Sequence, residues 1–271
     1  MKFSVLLSVY KKESPSFLSQ CFDSILQQTV LADEVVLVKD GPLPDELENV
    51  INKYQEKMSI LKIVNLTENQ GLGAALNIGM KYCSFDLIAR MDTDDIARVD
   101  RFERQLDFFL NNPEIDVVGS WVSEFENEIS CIKSIRKLPE MHEDIVRFAK
   151  LRNPINHPVV MFKKEAVINA GGYQHLPFFE DYYLWVRMLA IGAKFHNIQD
   201  SLLYFRFSPD MFGRRGGWKY AVYELNFLGK LRRMGFISKF EYIRNLLMRF
   251  GVRIVPNNIR TNIYKGILRK V

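Results

Sequence analysis

Three carboxylates fall within four residues at Asp92-Thr93-Asp94-Asp95. Charges that close repel one another, most strongly in a low-dielectric crevice, so a positive partner is expected among them. Hard oxygen ligands on a short loop suit Mg²⁺ or Mn²⁺, with phosphate oxygens filling the remaining positions. The alternative is a solvated acidic turn or a helix N-cap, since Asp95 precedes Ile96. An isolated Asp-x-Asp does not choose between these readings; its position after the apolar run Asp86–Met91 favours the metal.

A second acidic pair, Glu180-Asp181, opens a helix pattern carrying Leu184, Trp185, Met188 and Leu189. One carboxylate within hydrogen-bond reach of an acceptor hydroxyl is enough for general-base work. Adjacent helical residues point about 100° apart, so one can face a crevice while the other meets its neighbours. The alternative is favourable charge at a helix N-terminus and nothing more. Asp40 ends the run Val35-Val36-Leu37-Val38-Lys39, where a carboxylate can accept from a base N–H or a ribose hydroxyl; a turn aspartate before Gly41-Pro42 is the competing account. Ser8, Tyr10 and Glu13 follow the first apolar run, with Tyr10 able to stack on a base and Glu13 to meet a ribose. Asn69-Gln70-Gly71-Leu72-Gly73 opens another helix whose N-terminus favours an anion or a polar base edge. It lacks the Lys-Ser/Thr of a phosphate-cradling loop, and it follows the third strand, where a dinucleotide motif would follow the first. His157, between Pro154 and Pro158, is a candidate contact for a diphosphate or an acceptor; the other three histidines show no ligand spacing.

These residues need a scaffold that gathers them. Phe3–Val9, Glu34–Val38, Leu61–Leu66 and Asp86–Met91 read as strands, and helix-spaced segments at 15–26, 44–58 and 71–82 separate them. Strand and helix in strict alternation predict a parallel, right-handed βαβ sheet with its ligand crevice at the strands' carboxyl ends. Ser8, Asp40, Asn69 and Asp92 should converge there. Further on, 101–110, 139–152 and a segment from about 177 read as helices, and 116–122, 129–133, 159–162 and 195–205 as strands.

With 271 residues, 48% apolar and 25% charged, the chain has ordinary globular composition. No run reaches the roughly 18 apolar residues of a membrane span. The N-terminal run is too short for a signal peptide and reads as a buried strand. Three widely spaced cysteines fit reduced thiols in the cytoplasm. The net charge of +5 hides an asymmetry: residues 211–271 carry fourteen Lys/Arg and two Asp/Glu, a balance of +12, which leaves −7 for residues 1–210. In this tail Trp218, Val222, Leu225, Leu228 and Leu231 fall at helical spacing, as do Ile243, Leu246, Leu247 and Phe250. A basic amphipathic extension suits an anionic membrane surface; helices packed on the body with a solvated basic face are the alternative. Charge alone would also allow nucleic acid, but no recognition module is visible, and none is expected to bind.

Taken in order, Ser8-Val9-Tyr10, Asp40-Gly41, Asn69 to Asn77, Ala89 to Asp95, Arg101 to Gln105, His157-Pro158, Ala170 to Tyr173 and Glu180 to Arg187 resemble the family 2 inverting glycosyltransferases, particularly bacterial O-antigen and polysaccharide enzymes. The resemblance covers about residues 3–207. It implies an α/β GT-A fold, a single Rossmann-like, mostly parallel sheet flanked by helices over residues 1–210, with 211–271 as a basic helical extension. It implies a nucleotide-diphosphate sugar donor, UDP-linked by analogy, a lipid-linked or free glycan acceptor, Mn²⁺ or Mg²⁺, and a cytoplasmic enzyme peripheral to the membrane. By the same resemblance Asp94 is the direct metal ligand, and Asp92 is shared between metal and ribose. Asp181 is the catalytic base, with Glu180 the second candidate. Asp40, Ser8, Tyr10, Glu13, Asn69, Gly71 and Thr93 line the nucleotide site. Lys39 stands where many relatives have a second acid, and Val99 where they have proline. Two other readings compete: a sugar-nucleotide pyrophosphorylase, which would want glycines where Tyr10-Lys11-Lys12-Glu13 has none, and a non-catalytic nucleotide- or membrane-binding module, which would not require both acidic sites.

Overall fold

A computed structural model describes residues 1–207 and 217–254. Its first half alternates as expected: β1 (Phe3–Val9), α1 (Pro15–Leu26), β2 (Glu34–Lys39), α2 (Asp45–Lys57), β3 (Leu61–Asn65), α3 (Leu72–Tyr82) and β4 (Leu87–Arg90). β1 is nearly all buried, because it lies between β2 and β4 with parallel partners on both sides. Its residues alternate between two faces. Phe3, Val5, Leu7 and Val9 pack in one core cluster with α1 and α2, and Leu6 packs in another with α3 and α7. Pro15 starts α1 at a position where its missing N–H costs no helical bond. Three acids in the first turn of α2 suit the helix dipole. Gly79 lets α3 approach the sheet: a Cβ there would lie 2.5 Å from Leu6 Cδ1 and 2.6 Å from Val38 Cγ2.

The second half supplies β5 (Ile96–Ala97), α4 (Arg101–Asn111), β6 (Val117–Phe125), β7 (Ile132–Arg136), α5 (His142–Ala149), a 3-10 turn (His157–Val159), β8 (Met161–Lys163), α6 (Lys164–Asn169), α7 (Glu180–Ala190) and β9 (Phe195–Arg206). Two helices follow, α8 (Gly217–Arg233) and α9 (Lys239–Ile254). The strands form one nine-stranded sheet in the order β3-β2-β1-β4-β8-β6-β9-β5, with β7 added on β6. The parallel half, β3-β2-β1-β4, sets its carboxyl strand ends along one edge. β8 joins it antiparallel to β4, and β6 and β9 run parallel to each other.

The expected boundary after residue 210 falls outside the described residues. Beyond it, α8 buries Tyr220, Phe227, Leu228 and Leu231 against Leu176, Phe179, Tyr182, Tyr183 and Val186 at the start of α7. Each such large apolar side chain contributes about 1.5–3 kcal/mol when fully buried, so α8 is firmly packed on the body. This corrects part of the apolar face expected from spacing: Leu228 and Leu231 are buried as expected, and Leu225 is half-buried. Trp218 and Val222 are exposed, and the buried face runs through Tyr220, Ala221, Glu224 and Phe227. Helical periodicity fits both faces, and the aromatic one is the better match to the aromatic start of α7. On α9, Phe240, Ile243 and Leu247 form an exposed apolar stripe. The expected apolar segment from Val255 onward lies outside the described residues.

Candidate active site

Parallel pairing sets the carboxyl ends of β1, β2 and β4 side by side, with Val9 opposite Lys39 and Leu6 opposite Arg90. The candidate residues therefore leave the sheet along one edge. Asp40 is buried, and its carboxylate holds the loop before α3. Oδ1 accepts from the Gln70 N–H at 2.7 Å, and Oδ2 from the Gly71 N–H at 3.0 Å and the Asn69 amide at 2.9 Å. Of the roughly four acceptor positions of a carboxylate, this leaves one, on Oδ1. Gly41 and Gly71 both have positive φ, and a Cβ on Gly41 would sit 2.8 Å from the Asn69 nitrogen. Lys39 pairs with Glu48 at 2.5 Å, which neutralises it beside the site. Ser8 is half-buried and Tyr10 is exposed at the crevice mouth.

β4 delivers the acidic loop. Ligand atoms of Asp92, Asp94 and Asp95 lie within 4.8 Å of one another. Burial and the charges of Asp92 and Glu13 push the Asp94 carboxyl up to about 7. Asp95 is fully buried, and burial and the charges of Asp94 and Asp92 push its carboxyl well above the usual range. Its Oδ1 accepts the Arg206 N–H at 2.8 Å, and its Oδ2 has no hydrogen-bond partner among the described residues. The Glu13 carboxylate accepts from the Thr93 hydroxyl, so Glu13 belongs to the acidic cluster as well as to the crevice wall. An orphaned carboxylate oxygen beside two others is what a divalent cation would satisfy, and the donor set fits Mg²⁺ or Mn²⁺.

Three arginines brace this loop. Arg90 is buried beneath it and donates to Asp92; burial disfavours its charge, but Asp92 outweighs that and holds it protonated. Arg101, also buried, donates to the Arg90 carbonyl at 2.7 Å, and burial and the Arg90 charge lower it to about 9. Arg206, the last residue of β9, donates to the Asp94 carbonyl at 2.9 Å and lies over the Phe17 ring at 3.8 Å. Sequence reasoning gave these arginines no role. Arg90 and Arg101 stand in the sequence only as members of motifs, and Arg206 lies one residue past the expected last strand, 195–205.

The Glu180-Asp181 pair begins α7, beside the first turn of α3. Asp181 Oδ2 accepts from the Asn153 amide at 2.7 Å, and its Oδ1 from the Tyr182 N–H at 2.7 Å. Glu180 turns toward Gly73, where an added Cβ would lie 3.5 Å from its Cγ, and burial and Asp181 raise its carboxyl above the usual range. Tyr173 links the two acidic sites, since its phenol feels the charges of Asp181 and Asp92 as well as Arg90. His157 is buried with its Nε2 2.9 Å from the Tyr173 hydroxyl. Burial and Arg90 keep it neutral, a core histidine supporting the crevice wall from behind. Nothing in the sequence distinguishes Asn153 from an ordinary loop asparagine.

The mixed α/β sheet, with the acidic loop at the end of β4, has the architecture of the GT-A fold. Residues 4–168 match the family model described as Glycosyl transferase family 2. The chain is 42% identical over 269 residues to UDP-Gal:alpha-D-GlcNAc-diphosphoundecaprenol beta-1,3-galactosyltransferase of Escherichia coli, covering 99% of this chain and 97% of that one. It is 40% identical to the amylovoran biosynthesis glycosyltransferase AmsE of Erwinia amylovora, over 97% of this chain and 98% of that one. In fold it resembles mannosyltransferase PcManGT of Pyrobaculum calidifontis in complex with GDP-Man and Mn²⁺, with a TM-score of 0.65, 15% identity, and coverage of 98% and 73%. The protein belongs to glycosyltransferase family 2, and it is a glycosyltransferase of polysaccharide biosynthesis.

Proposed function

We propose that the enzyme moves galactose from UDP-galactose to a hydroxyl of an N-acetylhexosamine carried on a lipid diphosphate, with inversion at the anomeric carbon. The observation that carries the reaction type is the pairing of two acidic stations: three clustered carboxylates at the end of β4 and a separate carboxylate at the start of α7. The near full-length likeness to a galactosyltransferase acting on diphosphoundecaprenol-linked GlcNAc supports the donor and acceptor.

Asp94 would hold Mn²⁺ or Mg²⁺, with Asp92 shared between the ion and the ribose. The ion, when bound, supplies positive charge for the departing diphosphate. Asp40 offers its remaining Oδ1 lone pair to the base, and Asn69 and Gly71 shape the same pocket. Tyr10 stacks at its mouth, and Ser8, Glu13 and Thr93 line its floor. Asp181 takes the proton from the acceptor hydroxyl as that oxygen attacks the anomeric carbon; the bond to the diphosphate oxygen breaks in the same displacement. Asn153 donates to Oδ2 and the Tyr182 N–H to Oδ1, and together they fix the direction of the carboxylate. Glu180, turned toward Gly73, is the weaker candidate.

The site of action that fits a lipid-linked acceptor is the cytoplasmic face of the membrane. No helix among the described residues is long and apolar enough to cross a bilayer. The exposed stripe Phe240, Ile243 and Leu247 and the basic tail would serve peripheral contact with anionic lipid. A panel of nucleotide sugars tested on a synthetic lipid-diphosphate GlcNAc, with the product linkage assigned by NMR, tests the reading. Galactose transferred from UDP-galactose in β linkage is expected. Preference for another sugar, or no transfer to any lipid-diphosphate acceptor, would overturn it.

A further inference from the structure

The segment between α5 and the 3-10 turn is held by side chains of α7 and α9. Carbonyls at a helix C-terminus lack intrahelical donors, and here three consecutive ones each receive a side chain. The Tyr182 hydroxyl donates to the Ala149 carbonyl at 2.7 Å, the Asn245 amide to the Lys150 carbonyl at 2.7 Å, and the Arg249 guanidinium to the Leu151 carbonyl. Two of these three donors belong to α9. Lys150 also pairs with Glu241 of α9 at 3.1 Å.

Two residues beyond Leu151 stands Asn153, whose amide donates to Asp181. Asn245 is 2% exposed, and a polar amide is buried at such cost only when it is hydrogen-bonded. Arg249 reaches the same place twice: its Nη1 pairs with Glu224 of α8 at 3.1 Å, and its guanidinium lies 6.0 Å from the ring of Tyr182, the neighbour of Asp181. The tail thus grips both the loop that hydrogen-bonds Asp181 and the helix turn that carries it.

We propose that Asn245 and Arg249 of the C-terminal hairpin are positioning residues for Asp181, acting through the 150–153 segment and Asn153. The inference rests on the reading of Asp181 as the base. It gives the hairpin a part in catalysis separate from any contact with lipid. A shift of the 150–153 segment would change the direction of the Asp181 carboxylate without touching the nucleotide pocket or the acidic loop.

The test uses the full chain. Arg249→Lys keeps the charge beside Glu224, but a single ammonium lacks the planar fork that reaches Glu224 and the Leu151 carbonyl together. Asn245→Ala removes one bond at an independent point, which covers the case in which one variant folds poorly. Each should lower kcat about tenfold, within the range that small misplacements of a catalytic group produce. KM for the donor, and UDP affinity in the presence of Mn²⁺ measured by calorimetry, should stay within about twofold. In combination with Asn153→Ala the losses should not multiply, because both act along one path. Wild-type kcat in both single variants, or losses that multiply with Asn153→Ala, would overturn the proposal. Asp181→Asn with full activity would instead sink the base assignment, and the positioning role with it.

Discussion

The metal-free protein should be destabilised by its own acidic loop, and the amount follows from Asp94. In the unfolded chain this carboxyl titrates near its ordinary 3.8; in the fold, burial and the charges of Asp92 and Glu13 move it to about 7. Between those values the native state binds the extra proton, so stability falls as pH rises from about 4 to about 7, and the loss is complete above that. Each pH unit of displacement corresponds to about 1.4 kcal/mol, which sets a ceiling of about 4 kcal/mol. Asp94→Asn removes the charge and keeps the shape. In chelator at pH 8 the variant should be more stable than wild type by about 2–4 kcal/mol, a midpoint rise on the order of 5–10 °C for a domain of this size. The difference should shrink as the pH is lowered toward 5. Mn²⁺ at a hundred times its Kd should add about 2.7 kcal/mol to the wild type and little to the variant. Urea unfolding across this pH range, with and without Mn²⁺, reads both effects. A variant no more stable than wild type at pH 8, or one that gains as much from Mn²⁺, would refute the reasoning.

Asp181→Asn should lower kcat by about 10²–10⁴-fold, the usual contribution of a general base, while donor KM holds; steady-state transfer assays check this, and an unchanged kcat moves the role to Glu180. Gly79→Ala should cost about 1–3 kcal/mol, because the new methyl meets Leu6 and Val38 at about 2.5 Å; a denaturation midpoint equal to the parent's would mean that α3 shifts freely. Phe240→Glu combined with Leu247→Glu should abolish co-sedimentation with vesicles rich in phosphatidylglycerol at low salt and spare transfer to a water-soluble acceptor. Equal sedimentation of parent and variant would remove the apolar stripe from the membrane reading.

The parallel half of the sheet was legible because its inner strands, β1, β2 and β4, are buried on both faces. Phe3–Val9 and Glu34–Val38 are apolar runs bounded by turn residues, and the helices between them keep a single apolar stripe. That half alone places Asp40 and Asp92 on one edge. The second half was less legible. Ile96–Ala97 is a strand only because Leu203 and Tyr204 pair with it, more than a hundred residues away. No periodicity exists in two residues. β7 begins three residues later than expected, where a bulge at Glu124/Phe125 resets the register. The supporting residues of the site share this dependence on distant contacts. Asn153 is an ordinary loop asparagine until α7 brings Asp181 to it, and Arg206 is one more cation until β9 ends beside Asp94. In α8, Glu224 faces the interior against the helical pattern because Arg249 neutralises it there.

The charge arrangement explains how so acidic a loop can stand at all. Glu13, Asp92, Asp94 and Asp95 gather four potential negative charges, opposed at close range by Arg90 from below and Arg206 from the side. Arg101 adds a third cation one layer deeper, bonded to the Arg90 backbone. Two buried guanidinium groups side by side would repel each other in an apolar core, and their burial is tolerable because the carboxylates lie directly above. The contacts are unevenly shared: Arg90 takes Asp92, and Arg206 takes the Asp94 carbonyl and Asp95 Oδ1. The Asp94 carboxylate and Asp95 Oδ2 are left as the least compensated groups, next to the crevice. A divalent ion and a diphosphate bring one cation and several oxygens to that spot, so the arginines hold the loop in shape while leaving its outer face short of positive charge.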